Sequence, residues 1–205
     1  MFPDLLDAID IKDRLITADA LLTQRKLADY LVQRGAHYHF TAKGNQATLE
    51  KDIALLFEKR KKPDFVEVSP PDHGRIETRR IWCSDALNGY LNFPHVGQVF
   101  LIEREVVNKK SGRLSFETVV GLTSQSLVQA SPKQVLAANR EHWTIENRCH
   151  WVIDWNFDED RSRIRTGKGP ENVSRLRRFA VGVLSMFSDG KTSIKEKMAK
   201  LNRNT

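Results

Sequence analysis

An α/β fold with a β-rich antiparallel insertion and a helical, basic C-terminus follows from three features of the sequence. Short apolar runs alternate with helix-period segments through the first third of the chain, a block of two-residue alternation follows, and positive charge gathers towards the C-terminus. At 205 residues with 40% hydrophobic residues, the chain can bury the core of one domain, or of one domain carrying an insertion.

FPDLLDAIDI spaces its apolar residues as a helix does. RLITADA reads as a short buried strand, because Leu15, Ile16 and Ala18 form an apolar run ending at a carboxylate, Asp19. TQRKLADYLVQRGA reads as a helix, with Leu27, Tyr30, Leu31 and Arg34 at helical spacing and Gly35 as its stop. HYHFTAKGN is a second strand closed by a Gly-Asn turn, and QATLEKDIALLFEKRKK a second amphipathic helix. This alternation implies parallel strands in a layered fold. From Arg75 to Ser124 the pattern turns to β: RIETRRIWC, QVFLIEREVV and FETVVGLTS are strand-like, and the basic NKKSGR is a hairpin turn between the last two. Helical spacing resumes in SPKQVLAANREHWTIENRCHWVIDW, where Ser131 is the N-cap, Pro132 the first helical residue and Gln134 the second half of a capping box. The polar NFDEDRSRIRTGKG leads to PENVSRLRRFAVGVLSMF, a helix with Val173, Leu176, Phe179, Ala180 and Val183 on one side. DGKTSIKEKMAKLNRNT reads as a frayed basic tail.

Composition removes several classes of function. No apolar run reaches the ~20 residues of a membrane span, and the acidic N-terminus is unlike a secretory signal, so a cytoplasmic protein is expected. Cys83 and Cys149 stand far apart and form no CxxC pair, which indicates neither a disulfide framework nor a zinc knuckle. KGNQ, TGKGP and KSGR lack the spacing of a nucleotide fingerprint. The net charge of +7 is unevenly placed: residues 1–130 hold 18 Lys and Arg against 17 Asp and Glu, and residues 131–205 hold 15 against nine. An excess concentrated in this way suits a polyanion, whose counterions are released on binding, although a charged solvated face has the same composition.

Asp19 ends a buried strand, where α/β sheets present catalytic groups; a cap of the following helix is the plainer role for the same residue. His142, Glu146 and His150 fall at i, i+4 and i+8 on one helix face, which admits a metal site or a polar stripe; the pattern is not HExxH, and a zinc hydrolase would need a further ligand. Trp143, Trp151 and Trp155 read as packing residues. Arg161, Arg163, Arg165 and Lys168, then Arg175, Arg177 and Arg178, form a cluster whose guanidinium forks suit phosphate oxygens, with Asp158, Glu159 and Asp160 as alternative partners.

LITADALLTQ, HYHFTAKGNQATL, HGRIETR, REHWTIENRCHWVIDWNFDEDRSRIRTG and PENVSRLRRFA together resemble the DDE-type insertion-sequence transposases of the H-repeat-associated protein family, over nearly the whole chain. The resemblance implies an RNase-H-like domain with three carboxylates, one Asp on a first strand, a second Asp on a later strand and a Glu on a helix after a β-rich insertion. Asp19 matches the second position and Glu146 the third, as catalytic and metal ligands. The implied cofactor is Mg²⁺ or Mn²⁺, two ions per complete site, because in-line phosphoryl chemistry needs hard cations and oxygen ligands. Lys43, Asn45, Gln46, His142 and Asn147 would lie around the site; many related transposases carry Arg where His142 stands. Lys43, Asn45, Gln46, His142, Arg161, Arg163, Arg165, Lys168, Arg177 and Arg178 are the expected DNA-binding residues. DNA, as element ends and target, is the expected partner, with a homodimer as a further one, and neither membrane nor nucleotide.

The departure lies at the front, where the family's first Asp, in an Asp-Gly-Lys strand, has no counterpart; Asp4, Asp7, Asp10 and Asp13 fall in a helix-like stretch. The sequence therefore predicts a truncated domain: residues 1–74 its N-terminal part, 75–126 the β-rich insertion, 127–187 the C-terminal helical part and 188–205 a basic tail. Three readings stand open: an active transposase subunit, a catalytically inactive DNA-binding or oligomerising remnant, and a zinc hydrolase using His142, Glu146 and His150; without the first Asp the transposase chain is expected to be inactive alone.

Overall fold

In the computed structural model of the protein, which describes residues 6–59, 62–71, 74–143, 151–159, 161–187 and 192–203, the apolar run Leu15–Ala18 is a strand, β1. It pairs in parallel with β2, His37–Ala42, and the helix between them, α1, spans Arg25–Gln33. This is the βαβ unit expected from the alternation. A second helix, α2 (Ala47–Glu58), precedes a short strand, β3 (Phe65–Val68), that period-two reading missed because it is only four residues long. Three long strands follow as expected, β4 (Arg75–Ser84), β5 (Gln98–Asn108) and β6 (Leu114–Thr123), and then α3 (Pro132–His142).

The six strands make one mixed sheet in the order β1-β2-β6-β5-β4-β3. The antiparallel strands expected as an insertion are thus continuous with β1 and β2: β6 lies between β2 and β5 and is antiparallel to both. Register explains which face each residue serves. Tyr38, Phe40, Leu122, Val120, Val99 and Trp82 share one face and bury against Leu27 and Leu31 of α1 and Leu49, Ile53 and Phe57 of α2. Ile81, Cys83, Phe100 and Ile102 on the other face bury against Ala130 and against Val135 and Leu136 of α3. At Ser131 the Gln134 half of the capping box forms, the Gln134 Oε1 accepting from the Ser131 N–H at 2.9 Å and from its hydroxyl at 2.7 Å. Of the helix expected in FPDLLDAIDI, only residues 6–11 are described; Leu6 and Ile11 are buried, and the Arg34 guanidinium donates to the Leu6 and Ile9 carbonyls at 2.8 and 2.9 Å.

The chain divides into two compact units, Met1–Arg140 and Glu141–Thr205. Among the described residues the second contains the helices α4 (Trp151–Asn156), α5 (Gly169–Met186) and α6 (Ile194–Arg203), around Val152, Ile153 and Val181. Two expectations change here. Residues 194–203, read as a frayed tail, are helical, begun by a second capping box in which Glu196 Oε2 accepts from the Ser193 N–H at 2.9 Å. The expected apolar side of α5 is buried only in part: Val173, Ala180 and Val183 are half-buried, Leu176 and Phe179 are 66% and 71% exposed, and the buried residue is the neighbouring Val181.

A candidate nucleic-acid site at the carboxyl end of β1

Asp19 follows Ala18, the last residue of β1, and begins a 3-10 turn, Ala20–Leu22. It stands exposed at the strand end, and its Oδ1 accepts from the Leu22 N–H at 3.3 Å, so the capping role read from the sequence is present, on a 3-10 turn. The cap occupies one carboxylate oxygen from within the chain, and Asp19 has no ion pair among the described residues. A carboxylate of this kind, hard, solvent-facing and fixed in orientation, fits a divalent cation. Among the described residues no three His, Cys, Asp or Glu come together as a metal-binding group.

The turn carrying Asp19 is clamped by three polar side chains. Thr23, fully buried, donates its hydroxyl to the Thr41 carbonyl of β2 at 2.6 Å. The Asn45 amide donates to the Ala20 carbonyl at 2.5 Å and the Gln46 amide to the Thr23 carbonyl at 2.9 Å. Asn45 and Gln46 come from a second 3-10 turn, Gly44–Gln46, that follows β2, so parallel pairing of β1 and β2 brings the two turns side by side. Lys43 precedes that turn and is exposed. Thr23 was not singled out in the sequence, where a hydroxyl residue before a helix reads as a cap; only the fold reveals that it turns inward to β2. Beside the clamped turns lies a concavity of about 640 Å³ lined in part by Arg25, Asn45, Gln46, Tyr90 and Asn92, with the Tyr90 ring exposed.

The remaining expected site residues belong to the second unit. His142 is the last residue of α3 and half-buried; Glu146, Asn147 and His150 lie outside the described residues. Arg161 pairs with Asp158 at 3.7 Å, and Arg175 with Glu171 at 2.5 Å. Arg163, Arg165, Lys168, Arg177 and Arg178 form no ion pair among the described residues, and of the acidic run Asp158 pairs with Arg161 while Asp160 lies outside the described residues. Trp143 and Trp155 are 46% and 65% exposed, against the expectation that they pack inside. No helix among the described residues is long and apolar enough to cross a membrane.

The Transposase DDE domain family model matches residues 1–176. The chain belongs to that family. It is 30% identical over 216 residues to the Escherichia coli O157:H7 protein named "Putative transposase YncI", a match covering 99% of this chain and 54% of that relative. It is 28% identical over 212 residues to the Escherichia coli K12 protein named "H repeat-associated putative transposase YhhI", covering 97% of this chain and 54% of that one. A Xanthobacter autotrophicus protein named "Uncharacterized protein in dhlA 3'region" is 33% identical over 128 residues, 60% of this chain and 43% of its own. The transposase-family chain thus spans about half the length of the curated relatives it matches along its whole extent.

Proposed function

We propose that this chain is part of an insertion-sequence transposase that cleaves and joins DNA strands on an RNase-H-like domain, contributing Asp19 and Glu146 as two of the three carboxylates of a two-metal site. One observation carries the reading: in a DDE-family chain, the acid at the expected position ends β1, faces solvent and sits on a turn fixed by Thr23, Asn45 and Gln46. When bound, two Mg²⁺ or Mn²⁺ ions would activate the attacking oxygen and stabilise the leaving one. The chain's own residues do the rest. Asp19 and Glu146 hold and orient through carboxylate oxygens. Asn45 and Gln46 keep the Asp19 turn from moving, so that its carboxylate need not be ordered when DNA binds. Lys43 offers an ammonium to the DNA backbone beside the site, and Arg25 with Tyr90 lines a concavity suited to the adjoining nucleotide. The arginines at 161, 163, 165, 177 and 178, with Lys168 and His142, contact phosphates and set the duplex in register.

Incubation with a supercoiled plasmid carrying the element, with Mg²⁺ or Mn²⁺, tests this. With the third carboxylate supplied on an added polypeptide segment, metal-dependent nicking that disappears in Asp19→Asn and in Glu146→Gln, with duplex affinity retained, is the expected result. Salt-sensitive binding without nicking in any condition overturns the catalytic reading and leaves the DNA-binding or oligomerising remnant. Equal nicking by wild type and Asp19→Asn overturns the assignment of the site.

A further inference from the structure

The long strands do not end where β2 ends. Ala42, the last residue of β2, pairs with Val120, so Leu114–Val119 of β6 and the matching parts of β4 and β5 run on without β2 beside them. Six residues at strand rise make a projection of about 20 Å. It extends in the direction in which β1 and β2 run, from the same edge of the sheet at which Asp19 stands.

The alternation of side chains puts one set of residues on a single face of this projection: Arg75, Glu77 and Arg79 of β4, Arg104, Val106 and Asn108 of β5, and Ser115 and Glu117 of β6. Arg75, Arg104 and Arg113, with Val106, Asn108 and Ser115, line a concavity of about 410 Å³ there. The three arginines are not equivalent. Arg104 is held in the sheet, donating to Glu77 at 2.7 Å and to Glu117 at 3.3 Å. Arg75 and Arg113 are exposed and have no carboxylate partner among the described residues. The turn beside them is rigid: Asn108 Oδ1 accepts from the Lys110 and Ser111 N–H groups at 3.0 and 3.1 Å, and the Lys109 N–H donates to the Gly74 carbonyl at 2.8 Å. Lys109 and Lys110 add two exposed ammonium groups. The sequence marks this stretch, NKKSGR, only as a hairpin turn.

Two unneutralised guanidinium forks on a rigid platform, flanked by lysines and opposed to no acidic side chain of their own, suit phosphodiester oxygens. We propose that the projecting end of the sheet is a second DNA-backbone contact, with Arg75 and Arg113 as the phosphate ligands, Arg104 as the sheet-anchored floor of the cradle, and no part in reading bases. The inference rests on the proposed function and extends it: a duplex whose cleaved phosphate lies at Asp19 continues over the projection for about 20 Å, somewhat more than half a helical turn.

The test uses the full chain and a fluorescein-labelled duplex, with affinity followed by anisotropy from 50 to 300 mM salt. For Arg75→Gln with Arg113→Gln, the slope of log affinity against log salt is expected to fall by about two, one per arginine, equally for duplexes of unrelated sequence. Affinity near 0.1 M salt is expected to fall by about 10- to 100-fold. A second measurement needs no variant: phenylglyoxal modification of Arg75 and Arg113 in the wild-type chain, read by mass spectrometry, is expected to slow when duplex is bound. Wild-type binding with an unchanged slope in the variant and unchanged modification of both arginines overturns the proposal while leaving the proposed function standing. Failure of the wild-type chain to bind duplex overturns both.

Discussion

At the scale of single residues, the turn that carries Asp19 depends on hydrogen bonds from three side chains, Thr23, Asn45 and Gln46. The Asn45 amide and the Thr23 hydroxyl tie the main chain just after Asp19 to the turn after β2 and to β2 itself. Thr23→Val keeps the volume, removes the donor and leaves the Thr41 carbonyl buried without it. A loss of about 1–3 kcal/mol in urea unfolding is expected, the penalty of an unsatisfied buried acceptor. Asn45→Ala acts at a more exposed position and is expected to remove about 1 kcal/mol, with a larger relative loss in metal-dependent nicking than in duplex affinity. If nicking and binding fell in step, Asn45 would be a DNA contact and not a support for Asp19. Asp19 was legible in the sequence because an apolar run ending in an acid is a local pattern. The three clamping side chains were not legible in that role, since their acceptors lie 18 to 25 residues away and meet them only through β1–β2 pairing.

At the scale of elements, β4, β5 and β6 were readable because ten or eleven residues of alternation leave little ambiguity, and α3 because its capping box is written in Ser131, Pro132 and Gln134. The box at Ser193 and Glu196 was equally written, but the basic composition around it suggested a tail. What alternation cannot show is that β6 crosses back to pair with β2, and Gly121 records that packing. A Cβ at Gly121 would come within 2.3 Å of the Phe40 carbonyl and 2.4 Å of the Phe100 ring, which stacks on His39 at 4.6 Å. Gly121→Ala is expected to destabilise by about 1–3 kcal/mol or more, measured by thermal or urea unfolding, because backbone lies on one side and a buried ring on the other. The same strands hold an acid-sensitive element. Hydrogen bonding from Arg104, with the positive charge of Arg79 and Arg104 alongside, holds the Glu77 carboxyl below the usual carboxylate range against the opposing effect of its burial. A depressed folded value contributes stability that is complete above the ordinary carboxylate range and is lost as pH falls through that lowered value. Glu77→Gln is therefore expected to narrow the gap in unfolding free energy between neutral and acid pH. An unchanged gap would place the acid sensitivity elsewhere.

At the scale of the whole molecule, stability and charge are divided differently between the two units. The two larger clusters of buried residues, on the two faces of the sheet, lie within residues 1–140, whereas the second unit's cluster comprises Val152, Ile153 and Val181 with Phe157 and Ile194 packed against it. The exposed arginines at 163, 165 and 178 belong to the second unit and lie outside its described cluster of buried residues. Arg163→Gln with Arg165→Gln should consequently change DNA binding with little effect on unfolding: the urea midpoint is expected to stay in place while the salt slope of duplex affinity falls by about two. Because these positions share no partner with Arg75 and Arg113, the free-energy losses of the two double variants are expected to add in the quadruple variant. Addition would mean that one duplex engages both units at once. A quadruple variant that loses more than the sum of the two double ones would mean that duplex binds the two basic surfaces in alternative complexes, each covering for the loss of the other.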